Sequence, residues 1–315
     1  MMTNVSAIDV VLPLKIHARE GASDLDRFGK LELPSFDRFF ADKDKIRWLL
    51  IVPGEDLKVV EERIRDFPQW NIRVLNEDEL CPRLKSESGW HKQQILKLAA
   101  ARVVTSNYYL VLDADVVLKR PARLSDFFSN GKPILQKNVA GAHWDWWLGS
   151  KEILASKVQI TEDSTVMDVT PEFLHRETCL ALQDAIALRN NTDDWDVFLF
   201  GSRDKDWTDY TLYWLFVLES GLDHELYDWS AKQMYDGIWE WGQVNRLSRR
   251  HLRQIFEPNA DSFFFIVQSN IGLDLTFVQN RLSPHLDVVS SGRMKASAKH
   301  SLDRLCRHLR SFLPN

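Results

Sequence analysis

The chain has 315 residues, 44% of them hydrophobic and 27% charged, which suits a large buried core and excludes intrinsic disorder. Its 40 Lys plus Arg and 45 Asp plus Glu leave a net charge of −5, so the global balance carries no footprint of a nucleic-acid partner. Cys81, Cys179 and Cys306 are odd in number and far apart, which argues against a disulfide framework or zinc site and for a reducing compartment.

Ile8 to Leu14 reads as a first strand punctuated by Pro13. Its apolar run is interrupted by Asp9, Pro13 and Lys15 and has no basic segment before it, so no signal peptide is expected. From Asp24 to Phe40, Leu25, Phe28, Leu31, Phe36, Phe39 and Phe40 recur at helical spacing, with Pro34 as a break or second start. Ile46 to Pro53 is a second strand, Asp56 to Phe67 a helix with Leu57, Val60 and Ile64 on one face, and Ile72 to Leu75 a short third strand. This alternation predicts an α/β fold with a mixed, mostly parallel central sheet flanked by helices.

Ser88 to Ala101 is rich in helix formers, and its spacing places Gln93, Gln94 and Lys97 on one stripe. A solvated face explains such a stripe; so does a cation that compensates phosphate charge in a crevice. The next strand, Tyr108 to Leu112, runs straight into Asp113-Ala114-Asp115, and Pro121 ends regular pairing. Asp-x-Asp occurs five times, at 24/26, 42/44, 113/115, 194/196 and 204/206, but only the pair at 113/115 closes an apolar run. The others read as turns, caps or solvated faces. Ligands of open α/β sheets sit beyond the carboxyl ends of strands, where paired carboxylates suit a hard divalent cation on phosphate oxygens.

Beyond Pro121, Leu124 to Phe128 is a helical turn, Lys132 to Gln136 a short strand, Ala142 to Trp147 an aromatic loop or strand, and Thr165 to Val169 strand-like. Thr170-Pro171-Glu172-Phe173 looks like a capped helix start running to about Arg189. Trp207 to Gly221 reads as a buried helix opened by Thr208 or Asp209 and closed by Gly221. There Asp209 is either a plain N-cap or a carboxylate that takes a proton from an attacking hydroxyl. Ser262 to Ser269 is a further buried strand. The longest uncharged run, Ser262 to Leu273, has twelve residues, short of the roughly 20 that a membrane helix needs. From Ser297 a basic amphipathic helix is expected, docked on its own domain or on a membrane surface. Twelve tryptophans serve as core filler or as flat faces for sugar rings, a lean toward a carbohydrate ligand.

Gly89-Trp90, Gln93-Gln94, Lys97-Leu98, Tyr109 to Asp115 and Thr208 to Tyr213, in that order and spacing, resemble a bacterial group of GT-A-fold glycosyltransferases, the DUF6492 family, over roughly residues 5 to 280. The resemblance implies a nucleotide-sugar donor, with a UDP-sugar as the leading candidate, a glycan or lipid-linked acceptor, and a divalent cation, Mn²⁺ or Mg²⁺. By that likeness Asp113 contacts the ribose or the metal and Asp115 ligates the metal. Trp90, Gln93, Gln94 and Lys97 line the donor, the end of the first strand at Pro13 and Lys15 borders the base, and Asp209 is the general base. Many GT-A enzymes supply a late histidine as a further ligand; here the comparable strand end reads Val267-Gln268-Ser269, and His285 lies some way beyond.

Residues 1–290 are accordingly expected to form one catalytic domain, with a donor half over about 5–125 and an acceptor half over about 126–290, and 291–315 the basic helix. Surface-polysaccharide synthesis in the cytoplasm, at most peripheral to the inner face of the membrane, is the implied setting. Two other readings compete. A haloacid-dehalogenase-type phosphatase would use Asp113 as nucleophile and Asp115 as acid, though such a motif normally sits on the first strand of its domain. A non-catalytic carbohydrate-binding protein would use the tryptophans alone.

Overall fold

The computed structural model describes residues 6–16, 23–85, 87–230, 233–258 and 260–286. The C-terminal helix expected over 291–315 lies outside them. In chain order the strands are β1 (Ile8–Pro13), β2 (Ile46–Val52), β3 (Asn71–Asn76), β4 (Tyr108–Val111), β5 (Val116–Leu118), β6 (Phe128–Ser129), β7 (Lys132–Pro133), β8 (Lys137–Val139), β9 (Thr165–Met167), β10 (Glu172–His175), β11 (Tyr235–Ile238) and β12 (Phe264–Val267).

The main sheet has the order β10-β4-β1-β2-β3. Its β4, β1, β2 and β3 run parallel and β10 runs antiparallel on β4. Every residue of β1 is buried, as a central parallel strand covered on both faces requires. Alternate side chains serve opposite cores. Val11, Leu49, Ile51 and Val111 pack with Ile95, Leu98 and Trp214, while Val10, Trp48, Leu50 and Leu112 pack with Phe28 and Phe36. Trp48, Trp207 and Trp214 are thus core filler, whereas Trp90 and Trp241 are exposed.

One carboxylate inside this sheet is structural. Asp9 receives both arms of Arg47 at 2.9 and 3.1 Å and the N–H groups of Thr105 and Ser106 at 2.8 and 2.9 Å. Burial pushes its pKa up, but these donors outweigh it and hold Asp9 below the usual carboxylate range. The bonds fasten the turn entering β4 to the start of β1.

The apolar run through the acidic pair is divided between two sheets. β4 stops at Val111, Val116 N–H bonds back to Asp113 O at 3.1 Å, and β5 then joins a second sheet of order β11-β12-β5. The acidic pair therefore sits where the two sheets meet.

Two local expectations change. Glu172 does not open a helix: Glu172–His175 fills the free edge of β4, a long-range pairing that no local pattern reveals, and the helix starts at Arg176. Ala142 to Trp147 is neither loop nor strand but a 3-10 turn, Ala140–His143, leading into a helix, Trp144–Leu154. That helix buries Trp147, Ser150 and Leu154, and Ser150 Oγ meets Thr211 Oγ1 on the Asp209–Glu219 helix at 2.7 Å. Pro34 marks a second start, as expected: a π segment, Phe28–Glu32, joins the Asp24–Arg27 turn to an α segment, Leu33–Phe39, that opens around it. Proline is tolerated there because it falls in the first turn of the following α segment.

Candidate active site

Lys97 lies in the last turn of the Trp90–Ala99 helix and is 3% exposed. An earlier lysine of that helix anchors it: Lys92 Nζ meets Glu77 Oε1 at 2.6 Å and the carbonyls of Leu84 and Glu87 at 2.7 and 3.0 Å. Lys97 Nζ reaches Asp113 Oδ1 at 2.8 Å and stands 5.4 Å from the centroid of the Tyr210 ring. Burial pulls the Lys97 pKa down, but the carboxylates of Asp113, Asp209 and Asp115 more than reverse this, so it remains an ammonium.

The two aspartates differ in surroundings. Asp113 is 42% exposed in its side chain, while Asp115 is buried. Asp115 Oδ2 accepts the Ser269 N–H at 2.8 Å, and its backbone oxygen accepts Val267 N–H at 3.0 Å. Its Oδ1 is buried and meets no donor. Burial, reinforced by the charge of Asp113, raises the Asp115 pKa to about 7. Among the described residues no group of three or more His, Cys, Asp or Glu is placed to hold a metal. The donor set is therefore two carboxylates, one carrying an orphaned oxygen, and this fits Mg²⁺ or Mn²⁺, whose remaining positions substrate phosphates and water commonly fill. His285 is engaged elsewhere, its ring stacked on Phe256 with centroids 4.8 Å apart.

Asp209 is the first residue of the Asp209–Glu219 helix and is fully buried. Thr208 is the N-cap, exchanging hydrogen bonds with Thr211 at 3.0 Å each way, so the Asp209 carboxylate is not the capping group. Neither of its oxygens meets a donor at hydrogen-bonding geometry. Burial lifts its pKa to about 7, with Lys97 pulling down and Asp113 pushing up.

Gln94 is buried and Gln93 half-buried in the turn before Lys97. Pro13 closes β1, whose Val11 carbonyl accepts Leu112 N–H at 3.1 Å beside the acidic turn. Lys15 N–H donates to Asp24 Oδ2 at 3.1 Å. Trp90 is turned to other aromatics, His91 at 4.9 Å and Trp146 at 5.8 Å. Lys97, Asp113, Asp115 and Asp209 form one electrostatic group.

That group has members the sequence reading passed over. Asp24, in the Asp-x-Asp read as a turn or cap, has its pKa raised by burial and by Asp113 as well. Glu32 is wholly buried with neither oxygen partnered; burial first, then Asp115 and Asp113, hold it well above the usual range, so it keeps its proton. Arg27 is 3% exposed and places positive charge on Asp115. On the far side of β4, Glu172 is buried and kept protonated by burial and by Asp168, while Asp168 accepts from Tyr235 Oη and from Asn138 Nδ2. The one available signal was Glu32 lying between Leu31 and Leu33 in an apolar helix.

Fold and site together define an α/β protein that holds an acidic pair against a buried lysine at the carboxyl end of a mostly parallel sheet. The chain belongs to the family of unknown function DUF6492, whose model matches residues 5–290. No curated protein matches it. Among solved structures it is similar to apo mouse xyloside xylosyltransferase 1, with a TM-score of 0.47 and 11% identity over 85% of this chain and 99% of that one. It is also similar to the apo WbbM bifunctional glycosyltransferase, with a TM-score of 0.43 and 11% identity over 90% of this chain. The match spans half of the WbbM chain, 50%.

Proposed function

We propose that this protein is a GT-A-type glycosyltransferase that moves a sugar from a nucleotide diphosphate, a UDP-sugar first among the candidates, to a hydroxyl of a glycan or lipid-linked acceptor. The setting that suits such an acceptor is bacterial surface-polysaccharide synthesis on the cytoplasmic face of the membrane. The observation that carries the reading is the Lys97–Asp113 contact of 2.8 Å beside the unpartnered Oδ1 of Asp115. A buried cation joined to a carboxylate pair that still has an open oxygen suits a diphosphate and its counter-ion better than it suits a neutral ligand.

Asp113 and Asp115 would hold Mg²⁺ or Mn²⁺, which when bound supplies positive charge to the diphosphate and eases departure of the nucleotide. Lys97 binds the same phosphates; its ammonium is already desolvated and fixed by the helix, so little reorganisation is needed as charge develops on the leaving group. Asp209, buried within the field of Lys97, takes the proton from the acceptor hydroxyl. Gln94 and Gln93 offer amide donors one turn away, and Pro13 and Lys15 border the nucleotide.

Thermal unfolding with UDP, GDP, CDP and dTDP, each with and without Mn²⁺, tests the reading. One diphosphate is expected to raise Tm by several degrees only with the cation present, because ligand binding to the native state alone stabilises by mass action. Asp115→Asn is expected to abolish that rise while remaining folded. Cation-independent stabilisation by free sugars would favour a binding protein, and Asp113-dependent release of phosphate from a simple ester would favour a phosphatase.

A further inference from the structure

A cavity of about 400 Å³ opens at the other end of the second sheet, lined among others by Lys119, Gln233, Asp236, Arg246, His251 and Gln254. β5 separates it from the acidic pair: Asp115 precedes the strand and Lys119 follows it, roughly 13 Å apart at about 3.3 Å per residue. Lys119 N–H pairs with Phe263 O at 2.9 Å, which fixes its backbone to the start of β12.

Lys119 is 2% exposed; its ammonium makes no hydrogen bond or ion pair among the described residues and is not one of the sealed-off polar atoms, so the exposure it keeps opens to the cavity. Of the two carboxylates that line the cavity, Asp236 is engaged through Oδ1. Asp236 Oδ1 takes Arg246 Nη2 at 2.5 Å and Gly237 N–H at 2.9 Å, and the other arm of Arg246 bonds Gly237 O at 2.6 Å. Burial lowers the Lys119 pKa despite Asp236 and Asp261, with Arg120 and Arg246 adding to the lowering; Asp261, like Asp236, lines the cavity. A cation that opens to the cavity without a hydrogen-bonded carboxylate is available to an anion. His251 Nδ1 lies 3.0 Å from Asn245 O and 2.9 Å from Ser248 Oγ, which leaves Nε2 as the open ring nitrogen.

We propose that this cavity is a second ligand site, for inorganic phosphate or the phosphate of a small phosphate monoester. Lys119 supplies the charge, and the amides of Gln233 and Gln254 with His251 supply further hydrogen bonds. The volume falls within the range of small-molecule sites, about 300–1,000 Å³, and several polar donors around one cation match an anion with several oxygens. The proposal does not depend on the glycosyltransferase reading, because the acidic pair and Lys97 lie at the opposite end of β5.

The test is thermal unfolding in inorganic phosphate and in glucose 1-phosphate, against chloride at matched ionic strength, for the full chain and for Lys119→Met, His251→Ala and Lys97→Met. The parent and Lys97→Met are expected to gain several degrees with phosphate. Lys119→Met should show no gain. His251→Ala, which leaves β5 untouched, should need several-fold more ligand for half the effect. A larger gain with the ester than with phosphate places the ligand among phosphorylated metabolites; equal gains place it with free phosphate. A phosphate-dependent gain that survives in Lys119→Met, or is lost in Lys97→Met alone, overturns the proposal; should Lys119→Met fail to fold, an unchanged response in His251→Ala overturns it equally.

Discussion

At the scale of single residues, Asp209 does the most with the least. Its pKa of about 7 leaves it divided between acid and base at neutral pH, where a general base works well. Transfer rate under saturating donor is therefore expected to rise with pH through about 7 and then level. Asp209→Asn should lower transfer by roughly 10²–10⁴-fold while leaving nucleotide-diphosphate binding nearly unchanged, which a binding titration beside a turnover assay would show. The same residue costs stability. Its folded pKa lies above the unfolded value of 3.8, so the native state keeps a proton that the unfolded chain has released, and stability falls as pH rises between the two values. Asp209→Asn should thus melt higher than the parent at pH 8; a lower Tm there would mean that the charge is compensated in the fold.

At the scale of elements, the site depends on how closely two helices approach. A Cβ on Gly149, in the Trp144–Leu154 helix, would collide with the backbone carbonyl of Asp206, just before the Asp209–Glu219 helix. Gly149→Ala should therefore cost about 1–3 kcal/mol in denaturant unfolding and displace Thr208 and Asp209; a neutral result would show that the loop yields freely. This pairing explains why Ala142 to Trp147 was hard to read, since clustered tryptophans satisfy strand propensity and helical spacing alike until a partner is known. The parallel strands and the Trp90–Ala99 helix were legible because period and length agree within each segment. β10 was not, because only its pairing with β4 makes it a strand. For the site, Asp113, Asp115 and Lys97 could be found from an apolar run and an i,i+3/i,i+4 stripe. Asp24 and Glu32 could not, since their relation to the acidic pair arises from packing between distant segments.

At the scale of the whole molecule, the balance of buried acids sets the response to pH. Glu32 and Glu172 are held well above their ordinary value of 4.5, chiefly by burial, and Asp209 behaves alike, whereas Asp9 and Asp26 are held below theirs. The raised acids bind more protons in the native state and contribute stability that falls as pH rises from about 5 toward 8, whereas His91, His143, His175 and His285, held below 6.5 chiefly by burial, contribute stability that rises up to about that pH. Above the histidine range, calorimetric Tm measured from pH 7 to 8 without divalent cations should decline, and an increase there would contradict the burial of these acids. The tie between Ser269 and Asp115 belongs to this scale too, because it joins the end of β12 to the turn between the sheets. The donor is a peptide nitrogen, so the chemical identity of residue 269 is almost irrelevant to it: alanine would serve as well as serine, and proline alone would sever it. The course of the main chain does the holding at this corner, and the position is free to vary in every way but one.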